Sequence, residues 1–484
     1  MPHLKLLSRK RDFEIPESGI STVERLNIGG IEQTILIQAQ HTDKPVLLFL
    51  HGGPSMPLPG VSCRFRDYTV ATTSKELIHH YVLVFWDQRG TGKSYHPGIP
   101  KESINLAQFI SDAKELVDYL RERFVQDKIV IAGHSWGSVI GLSLATQIPD
   151  KLHAYIGISQ IVDWPENDRL CREWVINEAT KRGHSKAVDE LTRLGEPPYT
   201  ESYKQWGLLR KWLMRYNSMI YKNKEIKPPS LLDAMKIMLF SSDYTLKDIY
   251  NSLYKGFIFS FTQQMIEDFS RVNFFESAKN VDVPIFFIHG RKDVHVYGSL
   301  IQTYFDHLNA LKSKHLYWVE KSSHMFHPDD AREIEKILIE QVGAVIDQFI
   351  RNKKSYGLQK LYRLKEGPYQ SVGILEDMYV FEILTGITDT PEYYRITKEE
   401  FYSYDHWKNE WITDLKTLYT IVNRKCIASG YNRTNFTPRN YHFDVATCEI
   451  CGHETVSEIG NIPLGTPYEV TCSECGKTFT KLKD

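Results

Sequence analysis

No run of about 18 apolar residues occurs in this 484-residue chain, so the sequence offers no helix long enough to cross a bilayer. An excess of one charge is also missing. Lys plus Arg number 59 against 60 Asp plus Glu, a formal charge of −1, which speaks against a chain-wide field that gathers nucleic acid or anionic lipid. In the opening MPHLKLLSRKRDFEIPESG, Lys5, Arg9, Lys10 and Arg11 break the apolar run at once, so no signal-peptide core forms. Cysteine is scarce and unevenly spread: of seven, Cys63, Cys171 and Cys426 stand alone and the other four fall in two close pairs. That pattern favours a reducing cytoplasm and one metal site over a disulfide framework. Internal repeats and low-complexity tracts are absent too. With 42% hydrophobic and 12% aromatic residues, the chain has ample material for sizeable cores, and its expected partner is a small molecule or peptide, not nucleic acid or membrane.

What is present begins with ERLNIGGIEQTILIQAQ at 24–40, which alternates apolar and polar around Gly29 and Gly30 as an antiparallel hairpin does. Short buried-strand runs follow: VLLFL at 46–50, YVLVFW at 81–86, KIVIAG at 128–133, AYIGIS at 154–159, PIFFIHG at 284–290 and HLYWVE at 315–320. Between several of them lie amphipathic stretches such as 106–124, so the pattern predicts a mostly parallel sheet with helices on both faces, split between 1–162 and 276–352. The strand rhythm stops at 163–275, which reads as an inserted helical cap. A long amphipathic helix at 329–352 closes this region. Beyond the polar RNKKS at 351–355 comes an aromatic-rich accessory region, 356–440, in which Thr397 and Glu400 form a capping box opening a helix that Gly430 could close.

Gly133, His134, Ser135, Trp136 and Gly137 make GxSxG between an apolar strand and a helix of small residues. A serine on so sharp a turn needs small neighbours, and its hydroxyl is exposed at the helix N-terminus. A serine hydroxyl is a weak nucleophile, so it requires a base and the base an orienting acid. Asp293 follows the strand PIFFIHG and His324 follows HLYWVE, where strand ends deliver side chains to one edge of the sheet. His295 and His327 are neighbours read as bystanders. An oxyanion needs two N–H donors. The backbone of Trp136 is one candidate, and Gly53, in the loop HGGP after VLLFL, is the other.

HGGP, DQRGTGKS at 87–94 and SWGS around Ser135 together resemble the proline iminopeptidase family of α/β-hydrolases over about residues 20–352. The resemblance implies Ser135, Asp293 and His324 as catalytic residues, Gly53 and Trp136 as the oxyanion hole, no cofactor for catalysis, and removal of an N-terminal residue, often proline, from peptides. Ser55 and His134 are mild departures from the family's loops. Acidic cap residues hold the substrate ammonium in that family, which makes Glu166 and Glu173, with Glu178, candidates for substrate binding, although each also reads as a solvated helix-face glutamate. Proline preference does not follow, and Arg89 reads as a structural ion-pairing residue.

Cys448 and Cys451, then Cys472 and Cys475, form two CxxCG knuckles with twenty residues between Cys451 and Cys472, a zinc-ribbon-like module at 441–484. Four thiolates leave no open coordination position, so the Zn²⁺ they imply is structural. From 355 to 484 there are 14 Lys plus Arg and 18 Asp plus Glu, a balance of −4 that opposes phosphate binding and favours a protein contact or self-association. The readings left open are an aminopeptidase, an esterase or amidase on a small acyl compound, and a hydrolase controlled by a protein partner through 355–484.

Overall fold

Gly29 and Gly30, both at positive φ, turn the chain tightly enough for Ile20–Ile28 (β1) to pair with Ile31–Ala39 (β2), with Ile28 opposite Ile31. In this computed structural model the described residues are 11–346, 361–367, 369–375, 378–385, 390–408, 416–424, 428–429, 443–451, 454–458, 466–472 and 475–482. The chain divides into two compact units, Met1–Asp347 and Gln348–Asp484.

In the first unit the hairpin is followed by Val46–Leu50 (β3), Val82–Asp87 (β4), Ile129–His134 (β5), Leu152–Ile158 (β6), Ile285–Gly290 (β7) and Lys314–Val319 (β8). The eight strands lie in the order β1-β2-β4-β3-β5-β6-β7-β8, antiparallel as far as β4 and parallel from there on. VLLFL of β3 is buried throughout, because Leu48 has Val84 on one side and Ile131 on the other. The expected strands therefore stand where the apolar runs placed them, shifted by one or two residues at their ends.

β3 hands the chain to β4 on one side while β5 lies on the other. At such a reversal the C-terminal ends of adjacent parallel strands leave a crevice. His51 and Ser135 emerge there.

Helix α1 (Leu106–Arg123) is capped by the Asn105 side chain, and α2 (Trp136–Gln147) is buried along nearly its whole length. Where a cap was expected, the structure has helices α3 (Trp164–Lys181), α4 (Ser185–Leu194), α5 (Tyr203–Arg215), α6 (Leu231–Leu239) and α7 (Gln263–Ser270). Trp164, Trp206 and Phe269 bind these helices to one another, with Trp164 stacked on Phe269 at 4.2 Å. Helix α8 (Gly298–His307) packs on β7 and β8. The expected long closing helix is α9 (Pro328–Ile337) followed by one π-helical turn, Leu338–Val342, and its last residues lie outside those described.

In the second unit, the aromatic-rich region read at 356–440 proves to hold strands. Leu361–Gly367 (β9), Gln370–Leu375 (β10), Met378–Thr385 (β11), Thr390–Arg395 (β12) and Ala428–Ser429 (β13) form an antiparallel sheet in sequence order. β10 is buried on both faces, so it shows no alternation to read. The Thr397–Glu400 capping box is present, but its helix ends at Tyr402, and Gly430 lies outside the described residues. Two hairpins follow, Phe443–Thr447 (β14) with Glu454–Glu458 (β15) and Pro467–Thr471 (β16) with Thr478–Leu482 (β17). No helix of the described residues is long and apolar enough to cross a membrane.

Candidate active site

Ser135 sits between β5 and α2 at φ 55° and ψ −119°, a conformation that side chains rarely adopt. The two glycines of GxSxG make this turn possible. A Cβ on Gly133 would strike the Gly137 carbonyl, and one on Gly137 would strike the Leu50 carbonyl at the end of β3. The Ser135 amide is held by the Ile158 carbonyl at 3.0 Å.

His324 reaches this serine from the loop after β8. Its Nε2 accepts from Ser135 Oγ at 2.8 Å while its Nδ1–H donates to Asp293 Oδ2 at 3.0 Å. Asp293, on the loop after β7, is itself pinned by Ser159 Oγ at 3.1 Å and by the amides of His295 and Val296 at 2.8 and 2.9 Å. Burial alone would raise its pKa, but the charge and hydrogen bond of His324, His289 and the Val296 amide outweigh that and hold the carboxyl well below its usual range. The acid is thus ionised, the imidazole oriented and the hydroxyl within reach of a base, the geometry that moves a proton off a serine.

Three loops are locked together beneath the array. His51 of HGGP donates from Nδ1 to the Gly52 carbonyl at 2.7 Å and accepts at Nε2 from the Gln88 amide at 3.2 Å. Gln88 of DQRG returns its Nε2 to the His51 carbonyl at 3.1 Å and accepts from Trp136 Nε1 at 3.0 Å. Burial pushes His51 down to about 4, consistent with a neutral ring serving this network. Arg89 makes a buried two-pronged ion pair with Asp112, at 2.7 and 2.9 Å, as read from the sequence. Gly53, at φ 121°, and Trp136 both line the same cavity as Ser135. A Cβ on Gly53 would collide with the amides of Ser55 and Met56, and the Trp136 amide stands at a helix start, where no intrahelical acceptor is available.

The cavity encloses about 320 Å³ between the array and the cap. Five of the nine methionines line it: Met56, Met214, Met219, Met235 and Met325. Trp164, Trp206, Phe257 and Phe261 add aromatic wall. Among the described residues lining it, Asp168 is the carboxylate, and Arg210 grips that carboxylate at 2.6 and 2.8 Å. Burial raises the pKa of Asp168 against the opposing pull of Arg210.

Glu166 and Glu173 are not brought to this cavity. Both pair with Arg169, at 2.6 and 2.5 Å, with side chains 38% and 50% exposed against 6% for Asp168. Glu178 likewise pairs with Lys181 and Arg182. Helical geometry explains the difference, since Glu166 and Glu173 stand two and five residues from Asp168 on α3, about 160° and 140° around the helix. Asp168 falls on the buried stripe of Trp164, Asn167, Cys171 and Val175, and that spacing was a readable signal. His327, read as a bystander, caps α9 through the Asp329 amide. His295, also read so, lines the cavity with its ring 4.8 Å from that of His324.

In the second unit the sulfurs of Cys448, Cys451, Cys472 and Cys475 lie within 4.8 Å of one another and can hold a metal ion. Cys448 Sγ is 3.6 Å from Cys475 Sγ, and Cys451 Sγ is 3.6 Å from Cys472 Sγ. Those separations exceed a disulfide of about 2.05 Å. They approach the edge of about 3.8 Å that a tetrahedron with metal–sulfur bonds near 2.3 Å would have.

Sheet order, nucleophile turn and cap define an α/β-hydrolase. A family model described as serine aminopeptidase, S33, matches residues 72–227. The chain is 30% identical over 318 residues to a probable aminopeptidase, YbaC, of Bacillus subtilis (strain 168), covering 65% of this chain and 95% of that protein. It is also 28% identical over 127 residues to a proline iminopeptidase of Arabidopsis thaliana, over 26% of this chain and 30% of that one. Among solved structures, the proline iminopeptidase of Mycobacterium smegmatis aligns with a TM-score of 0.47 at 15% identity, over 67% of this chain and 98% of that one. The chain belongs to the S33 serine aminopeptidase family of α/β-hydrolases.

Proposed function

We propose that the protein is an aminopeptidase that releases N-terminal residues from short peptides through an acyl-enzyme on Ser135. Ser135 Oγ attacks the carbonyl carbon of the first peptide bond as His324 Nε2 takes the hydroxyl proton. The negative charge that collects on the carbonyl oxygen is received by the amides of Gly53 and Trp136. His324 then returns the proton to the departing amine, the C–N bond breaks, and water repeats the sequence to free the acyl group. Asp293 keeps the ring oriented and stabilises its charged form. The chain's own residues suffice for each step, and none is routed through a cofactor.

The observation that carries the peptidase reading is Asp168, the carboxylate in the wall of a largely apolar cavity that also holds Ser135. A substrate ammonium entering that cavity needs such a partner. A specific observation favours the second reading, an esterase or amidase: Asp168 is already gripped by Arg210. Comparing free with N-acetylated aminoacyl-naphthylamides decides between them. The aminopeptidase reading expects kcat/KM to fall by about two to three orders of magnitude on acetylation, and by a similar amount in Asp168→Asn with the free amine. Equal turnover of both substrates would favour the esterase or amidase.

Zn²⁺ is the metal that four thiolates at this spacing fit, and Cys448, Cys451, Cys472 and Cys475 would hold it as a closed structural site. Residues 355–484, with their balance of −4, are read as a surface for a protein partner or for self-association.

A further inference from the structure

A second cleft, of about 880 Å³, opens beside the cavity that holds Ser135. Its walls come from the loop after β7, the last turns of α3 and the cap segment from Arg215 to Leu231. Arg182, Arg215, Lys222, Arg291 and Lys292 line it, against the carboxylates of Glu178 and Asp293.

The two carboxylates leave most of these cations unanswered. Asp293 spends its oxygens on His324, Ser159 and two amides, and Glu178 pairs with Lys181 and Arg182. Arg291 has Glu320 at 3.3 Å. Arg215, Lys222 and Lys292 have no carboxylate within ion-pair distance among the described residues. Two of them lie only over rings, Arg215 over Trp212 at 5.6 Å and Lys292 over Tyr221 at 5.7 Å. In a chain of formal charge −1, three unpaired cations around one concavity make a local positive field that draws an anion.

The cleft and the cavity share a wall. Leu231 lines both it and the cavity. Ser218, in the cleft wall, bonds Nδ1 of His295, in the cavity wall, at 3.0 Å. A substrate that reached past Leu231 from the cavity would meet the cations.

We propose that this cleft binds an anionic group, a carboxylate or a phosphate, on the part of the substrate that the reaction releases. The proposal rests on acyl transfer at Ser135 and narrows its substrates to compounds with a negatively charged leaving part, such as short peptides ending in a free carboxylate.

The test compares two peptides with the same N-terminal residue and scissile bond, one ending in a carboxylate and one in a carboxamide. The carboxylate form should have a kcat/KM about tenfold higher, expressed in KM and shrinking as salt rises. In the triple variant Arg215→Gln, Lys222→Gln, Lys292→Gln that ratio should approach one. Equal kcat/KM for the two peptides in the unaltered protein would overturn the proposal. So would an equal fall on both peptides in the variant, since the cations would then be serving the fold.

Inorganic phosphate separates the two sources of the anion. It should raise KM for the carboxylate peptide alone; a change in turnover of the carboxamide as well would mark a site for a separate anionic effector and overturn the assignment to the substrate. If the protein proves to be an esterase, the same comparison is made on esters whose alcohol bears a carboxylate or a carboxamide. Failure of the peptidase reading is thereby distinguished from failure of this one.

Discussion

His134 Nε2 lies 3.1 Å from the main-chain carbonyl of His324, so the residue before Ser135 is tied to the loop that carries His324. Burial, with the nearby His324, pushes the His134 ring down to about 3, and the neutral ring donates one N–H to that carbonyl. The tether couples two segments 190 residues apart in sequence.

Replacing His134 by Phe keeps the ring's bulk and removes the donor. A slackened His324 loop should lower kcat about five- to tenfold, the worth of about 1 kcal/mol of hydrogen bond, with a smaller change in KM. His134→Gln, which retains an N–H, should recover part of the loss. Steady-state kinetics on one substrate reads both, and a Phe variant with undiminished kcat would show that the tether is idle.

Ser135→Ala should abolish hydrolysis and labelling by a fluorophosphonate while leaving the thermal transition in place, because one oxygen is removed from an otherwise intact turn. Asp293→Asn should retain labelling at a much reduced rate and lose about four orders of magnitude in kcat, since an amide favours the wrong histidine tautomer. Wild-type turnover in the Asn variant would point to a different acid.

Stability should fall as the pH drops below about 6.5. His51 is held at about 4, and His134 and His295 at about 3, chiefly by burial. Their folded pKa values are depressed, so the unfolded chain binds more protons, and the stabilisation, full above the unfolded value, is lost by about 1.4 kcal/mol per pH unit for each ring. Asp87, raised by burial to about 6, acts in the opposite sense, as do Asp163, Asp168 and Glu335, also raised by burial, while His289 and His315, lowered by burial, add to the three rings. Thermal melts between pH 8 and 4.5 measure the sum, and a melting temperature unchanged down to pH 5 would contradict it.

Elemental analysis of the protein purified without added metal should find one zinc per chain. Cys448→Ser or Cys475→Ser should lose it, and a strong chelator should release it with loss of order in the hairpins that carry the four sulfurs. Metal-free protein with unchanged amide exchange in those hairpins would remove zinc from the account.

The residues alone determined the parallel sheet, the turn at Ser135 and the pairing of cysteines, because each of these is written in short-range spacing: buried five- to seven-residue runs, two glycines about a serine, two residues between thiolates. Asp293 and His324 were legible one step further out, since the fold fixes which strand ends share an edge. Only the tertiary structure decided which carboxylate of α3 faces the cavity. Glu166 and Glu173 differ from Asp168 in angular position, and an acid's chemistry does not reveal which side of a helix is covered until the cap packs down. The same holds for Leu231, Ser218 and the cations around them, brought beside Asp293 from across the cap. Those contacts join residues far apart in the chain, and their distances follow from how whole helices pack, which no local pattern encodes.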